Sequence, residues 1–171
     1  MEEASLQEEF SRFFDRTKAG LLGQAYLLVG NPEDAQDLVQ EVYLRVWRNW
    51  DRVSSLDNSV AWSRSVLHNL AIGRWRRLKI QRSRSHLNSR ATVATPEVSA
   101  DHLDLISALM SLPTIQRRVL VLRAFDGLST ADIAAEIGTS EATVRLWLSR
   151  ARASIAANLR MKSAPPSRKV R

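Results

Sequence analysis

Thr143, Arg145, Ser149, Arg150 and Arg152 fall within ten consecutive residues. Guanidinium and hydroxyl groups at this density suit contact with phosphates and base edges. The segment before them explains how they would be presented. Ser129 and Asp132 have the spacing of a capping box, a hydroxyl at a helix start with a carboxylate three residues on. Gly138 supplies the left-handed backbone of a sharp turn, and Ser140 stands where a second helix needs a cap. Two helices are therefore expected, over Ser129–Glu136 and Ser140–Ala157, joined at Gly138-Thr139-Ser140. No acid follows Glu141 to the end of the chain. A tight helix-turn-helix with a basic second helix is the geometry that enters a DNA major groove. An ordinary helical hairpin with a solvated charged face fits the same spacing.

Other chemistries find little support. Asp34 and Asp37 offer a pair of carboxylates of the kind used in catalysis or metal binding, but in a first helical turn they are better explained as partners of the helix dipole. The histidines His68, His86 and His102 are scattered without ligand spacing, and there is no cysteine. Neither a Gly-rich phosphate loop, nor H-E-x-x-H, nor G-x-S-x-G occurs. The expectation is a protein that is not an enzyme, with no metal and no cofactor. An acidic N-terminus and the absence of a long apolar run point to a cytoplasmic protein without membrane insertion.

The 171 residues carry a net charge of +7, which favours an anionic partner. The charge is segregated. Residues 1–57 hold 11 acids and 6 bases, and residues 58–96 hold 8 bases and no acid. Residues 97–141 hold 7 acids and 3 bases, and residues 142–171 again hold 8 bases and no acid. Two separate basic blocks point to two contacts with a polyanion, and the acidic stretches between them suit a protein partner.

All the strong periodicities are helical, so the fold class expected is all-α: two small helical domains joined by a flexible linker, the C-terminal one a helix-turn-helix. Leu6, Phe10, Phe13 and Phe14 mark a first helix; Leu21, Leu22, Ala25, Tyr26, Leu28 and Val29 mark a second, ended by Gly30. Asn31-Pro32-Glu33-Asp34 starts a third with a cap, a first-turn proline and acids at the positive dipole end. Its apolar face is Ala35, Leu38, Val39, Val42, Tyr43, Val46, Trp47 and Trp50; its polar face shows Asp34, Asp37, Glu41, Arg45 and Arg48. Asp51 to Asn58 reads as a loop, and a fourth helix runs from Ser59 to Arg82 with Trp62, Val66, Leu70 and Leu78 inward. Ser83 to Ser99 lacks periodicity and contains Pro96. Leu103, Ile106, Leu109 and Met110 then mark one helix, and Val119, Leu120, Leu122 and Phe125 the next. The boundaries expected are 1–82, a linker 83–99, a second domain 100–160, and a basic tail 161–171 without fixed structure.

Taken in order, these residues resemble the extracytoplasmic-function group of bacterial sigma factors, the minimal members of the sigma-70 family. The run Asp34-Ala35-Gln36-Asp37-Leu38-Val39-Gln40-Glu41 through Trp47 is similar to the family's D-A-E-D-L-V-Q-E-x-F-L-R-x-W helix. Ala61-Trp62, Asn69-Leu70-Ala71-Ile72 and Arg74-Trp75-Arg76-Arg77 resemble its promoter-melting helix. Leu109 to Pro113, Gln116 to Arg123, Asp126-Gly127-Leu128-Ser129, Gly138-Thr139-Ser140, Thr143-Val144-Arg145 and Ser149-Arg150-Ala151-Arg152 resemble its C-terminal domain.

The resemblance implies partners and site residues. Core RNA polymerase, through the clamp helices and flap, would be met by Asp34, Asp37, Leu38, Gln40, Glu41 and Arg45. The −10 element would be engaged by Asp57, Asn58 and Ser59 as a base pocket and by Arg64, His68, Arg74, Arg76, Arg77 and Lys79 on phosphates. The −35 duplex would be read by Thr143, Arg145, Leu146, Ser149 and Arg150. The linker would thread near the polymerase active site and RNA exit path, and an anti-sigma factor is an expected partner. Three departures stand out: Leu146-Trp147 where many members have Ser-Arg, which removes a donor and adds apolar surface suited to a thymine methyl; Gly73 where an acid is common; and the tail after Met161, which has no assigned role. A helix-turn-helix regulator with an N-terminal sensing domain is the alternative; residues 1–57 show no strand alternation to support it.

Overall fold

A computed structural model describes residues 2–84 and 100–163, with side chains over 5–75 and 102–161. The expected linker and tail fall largely on residues 85–99 and 164–171, outside the described residues. Among the described residues every regular element is an α-helix, and the chain divides into two compact units, residues 1–94 and 95–171.

The N-terminal unit comprises α1 (Glu2–Val29), α2 (Pro32–Arg48), α3 (Trp50–Ser54) and α4 (Ser59–Arg84). The two apolar stretches expected as separate helices are one 28-residue helix, α1. Thr17 is buried at their junction. Its hydroxyl donates to the Phe13 carbonyl at 2.7 Å and lies 2.8 Å from the buried Tyr43 hydroxyl of α2. The intervening polar residues therefore face solvent while the helix continues beneath them. Gly30, at φ 73°, ends α1 and returns its N–H to the Tyr26 carbonyl at 2.8 Å. Asn31 then caps α2, accepting from the Glu33 and Asp34 backbone at 2.8 and 3.2 Å. The Pro32 position costs nothing, because its missing N–H would have had no helical partner.

Helices α1, α2 and α4 pack on one another around Phe13, Leu21, Ala25, Val42, Val46, Leu67 and Leu70. Phe10 packs edge-on to Trp47 and Trp50, with ring centroids 4.9 and 5.3 Å away. The expected loop after Trp50 holds a short helix, because Trp50 and Val53 are drawn into the core one turn apart. Trp62 and Val66, expected inside, are half-buried.

The C-terminal unit comprises α5 (Ala100–Ser111), α6 (Thr114–Ala124), α7 (Thr130–Ile137) and α8 (Glu141–Ser163). Helix α8 continues past Met161, where the tail was expected to begin. Val119, Leu122, Ile133, Ala134, Val144 and Leu148 form its core. Leu103 and Phe125, expected inward, are exposed: α5 packs through its later residues Ile106, Ala108 and Leu109, and Phe125 occupies the C-cap of α6, beyond the buried stripe.

Arg117 is buried beneath the α5–α6 turn. Its guanidinium donates to the Met110 and Leu112 carbonyls at 3.3 and 3.2 Å and contacts the Met110 Sδ at 3.0 Å. It thus serves carbonyls that a helix end leaves without intrahelical donors. Burial pushes its pKa down to about 10, which leaves it charged at neutral pH. Arg117→Met keeps the side-chain volume and removes the donors. The expected cost is about 2 kcal/mol, read as faster amide exchange in α5 and α6 at unchanged exchange in α1 and α2.

Candidate nucleic-acid interface

The turn between α7 and α8 is closed by local polar contacts. Ser129 Oγ accepts from the Asp132 N–H at 3.1 Å, and Asp132 accepts from the Ser129 N–H at 3.2 Å, completing the capping box. The Ser129 hydroxyl also donates to the Asp132 carboxylate at 2.5 Å, and this bond first, with the Ser129 N–H second, holds the carboxyl below its ordinary value. Gly138 sits at φ 75°, ψ 47°, and its N–H and that of Thr139 both reach the Ala134 carbonyl, at 3.0 and 2.9 Å. Ser140 Oγ accepts from the Thr143 N–H at 3.2 Å and starts α8.

Glu141 joins the two helices. Its Oε1 accepts from the Thr130 hydroxyl of α7 and from the Arg145 guanidinium, both at 2.6 Å. The last acid in the sequence is therefore neutralised where the two helices meet. Arg118, nearly buried, adds a 3.4 Å ion pair to Glu136 on α7. With Val144, Leu148 and Ala151 buried against α6 and α7, the opposite side of α8 is free. Arg145, Leu146, Ser149 and Arg150 are exposed there. Thr143 is half-buried, its hydroxyl 2.8 Å from that of Ser140. Trp147 turns inward against the core cluster, so the added apolar surface is that of Leu146.

The N-terminal unit redistributes the residues expected to act there. Leu38 is 2% exposed and His68 is 0% exposed, so both side chains lie in the core. Leu38 lies on the same helical line as Ala35 and Val42, and His68 follows the buried Leu67, which sets both toward the packed side of their helices. Arg74, expected on phosphate, instead pairs with Asp34 and lies 3.5 Å from Asp37 Oδ2. One cation of the expected DNA set thus stands on two acids of the expected polymerase set. Asp37 and Gln40 remain exposed, and Arg45 pairs with Glu41 at 2.7 Å in the favourable i,i+4 order.

Asp57 and Asn58 are exposed, but Asn58 Oδ1 accepts from the Ala61 N–H at 2.9 Å and so caps α4. Ser59 and Arg64 are half-buried. Arg76, Arg77 and Lys79 lie on the backbone of α4, their side chains outside the described residues. Trp75 is half-buried.

A groove of about 620 Å³ between α1 and α2 was missed. Leu44 and Trp47 edge it, 55% and 47% exposed, above Phe10 and Phe14. The signal was available: the buried arc of α2 is filled by Ala35, Leu38, Val39, Val42, Tyr43 and Val46, and Leu44 and Trp47 fall outside it at 100° per residue. Among the described residues no group of three or more His, Asp or Glu is placed to hold a metal, and no helix is long and apolar enough to cross a membrane.

The profile of sigma-70 region 2 matches residues 13–80, and that of sigma-70 region 4 matches residues 102–155. The first covers α2 and most of α1 and α4; the second contains the helix-turn-helix. An RNA polymerase sigma-E factor of Streptomyces avermitilis is 34% identical over 148 residues, 86% of this chain and 83% of its own. The chain belongs to the sigma-70 family, in its extracytoplasmic-function group.

An extracytoplasmic-function sigma factor SigK of Mycolicibacterium vanbaalenii is 28% identical over 150 residues, 81% of this chain and 75% of its own. Among solved structures, the sigma factor RpoE of Bartonella quintana in complex with the anti-sigma factor NepR matches with a TM-score of 0.74 at 26% identity. It covers 90% of this chain and 98% of the other. The departures of this sigma factor from the usual motifs can now be placed: Leu146 on the outer face of α8, and Gly73 one residue before the Arg74 ion pair.

Gly138→Ala meets no atom within 4 Å, so its cost is the left-handed backbone alone, about 1–2 kcal/mol, measurable as a lower thermal midpoint. The Asp132 carboxyl, with its folded-state value depressed, stabilises the fold when ionised. The difference in stability between the wild type and Ser129→Ala should therefore hold at neutral pH and shrink as acid titrates below the ordinary carboxylate range. In the other unit, a double-mutant cycle of Arg74→Ala and Asp34→Ala should return a coupling of roughly 1 kcal/mol.

Proposed function

We propose that this sigma factor binds core RNA polymerase and directs promoter-specific initiation, the N-terminal unit serving the polymerase and the −10 element and the C-terminal unit the −35 element. The observation that carries the reading is the capped helix-turn-helix whose exposed α8 face bears Arg145 and Arg150 in an acid-free stretch. Arg145, Leu146, Ser149 and Arg150 contact base edges, Thr143 supports them at the helix start, and Arg152 adds phosphate affinity. The −10 set is Asp57, Asn58, Ser59, Arg64, Arg76, Arg77 and Lys79. Arg74 serves as an internal tie and His68 as core.

The polymerase contact runs along the exposed face of α2, from Asp37, Gln40, Glu41 and Arg45 to the apolar edge at Leu44 and Trp47. Mixed charge beside an exposed tryptophan combines steering with a site for burial. The protein performs no catalysis of its own and works in the cytoplasm, where polymerase and chromosome meet. An anti-sigma factor that covers these faces is the expected regulator, as the solved relatives were captured with NepR and with the cytosolic domain of CnrY.

Run-off transcription from a promoter library with purified bacterial core polymerase tests the reading. Initiation from templates sharing one −35/−10 pair is the expected result. Tight duplex binding by the protein alone with no initiation would favour a one-component regulator. Arg145→Ala with Arg150→Ala should abolish promoter use at unchanged core affinity, since each guanidinium contributes roughly 1–3 kcal/mol of base discrimination. Charge reversal at Asp37 and Glu41 should weaken core binding, measured by competition for core polymerase.

A further inference from the structure

Along α8 the side chains opposite the buried line Val144, Leu148 and Ala151 are Ala142, Leu146, Ser149 and Ala153, and all four are exposed. At 100° per residue, Arg145 and Arg150 flank this line on its two sides. Arg145 is also drawn back toward Glu141, which it meets at 2.6 Å. The ridge that reaches furthest from the core thus carries one hydroxyl and three apolar groups, with Leu146 the largest.

Leu146 is 46% exposed, while its neighbour Trp147 packs on the core. Folding therefore does not account for a leucine at this position. The surroundings specify its occupant. Arg145, Arg150 and Arg152 are exposed around it and no acid follows Glu141, so a polyanion fits this face better than a protein surface does. In the major groove, the apolar group that distinguishes one base from the others is the thymine C5 methyl.

We infer that Leu146 reads a thymine methyl in the −35 duplex, which makes it a specificity-determining residue of this sigma factor. The inference rests on the placement of α8 in the −35 major groove. Arg145 and Arg150 set the register from either side, and Leu146 packs on the methyl between them. Ala142, one turn earlier and small, leaves room for the base pair to approach.

The test uses the full chain with core polymerase and a duplex promoter recovered from the run-off library. Each −35 thymine, on either strand, is replaced singly by deoxyuridine, which pairs identically and lacks only the methyl. Holoenzyme binding is read by fluorescence anisotropy. One methyl removed from an apolar contact corresponds to about 0.8 kcal/mol, or roughly fourfold in affinity. At one position, deoxyuridine should weaken the wild type by about that factor.

Leu146→Ser should be indifferent to the methyl at that position, and Leu146→Met should retain the sensitivity. Helical circular dichroism and core affinity of both variants verify that they fold. Uniform indifference of the wild type to deoxyuridine would overturn the inference, as would a sensitivity that survives in Leu146→Ser, or a selected −35 element without thymine. Indifference of the wild type to every −35 base change would instead overturn the placement of α8 on which the inference rests.

Discussion

The carboxylate of Glu141 receives both the Thr130 hydroxyl from α7 and the Arg145 guanidinium from its own helix, and the presentation of the C-terminal unit depends on that double contact. A helix-turn-helix reads DNA only if its second helix leaves the body at a fixed angle and rotation. Gly138 sets the turn by adopting a backbone that other residues enter at a cost. The Ser129–Asp132 box and Ser140 satisfy the N-terminal amides of the two helices. Glu141 then fastens the helices to one another by side chains, next to the core formed by Ile133 and Val144. It also screens itself: an unpaired acid at the mouth of a DNA-binding helix would repel phosphate, and two donors offset that charge.

The N-terminal unit uses polar contacts in the same way, between helices distant in sequence. Tyr43 meets Thr17 in the interior and joins α2 to α1 where α1 passes from one apolar stretch to the next. Arg74 meets Asp34 and Asp37 at the surface and joins α4 to the start of α2. The second tie has a functional consequence. The helix assigned to −10 DNA and the helix assigned to polymerase share an ion-paired cluster, so disturbing one face alters the electrostatics of the other.

The segregated charge takes on a different meaning once paired residues are set aside. In the block 58–96, Arg74 is occupied internally by Asp34 and Asp37. In the C-terminal block the bases on α8 surround an apolar ridge. In the proposed reading, charge supplies salt-dependent attraction for any DNA and the ridge with its hydroxyl supplies discrimination, so the two are divided between chemically distinct neighbours.

Much of this was legible in the sequence because it is local. The capping box, the Gly138 turn, the Asn31-Pro32 helix start and the Glu41–Arg45 pair each involve residues within a few positions, whose backbone chemistry is fixed by residue type. Periodicity likewise set Leu21, Val42, Val46 and Leu122 on apolar faces, and all four are buried. What periodicity left open was the width of each buried arc. Trp47, Leu103 and Phe125 have core-like types yet stay about half exposed, Trp47 while packing on Phe10, whereas Leu38 and His68, given functional roles, are buried. The polar partner of Thr17 in the middle of α1 is the Tyr43 hydroxyl 26 residues away, and the fate of Arg74 required acids 37 and 40 residues away. The sequence by itself determined the helices, their caps and the separation of charge, because those follow from neighbours along the chain. Only the tertiary structure decided which side chains remain available to a partner, because availability is what packing and long-range pairing leave over.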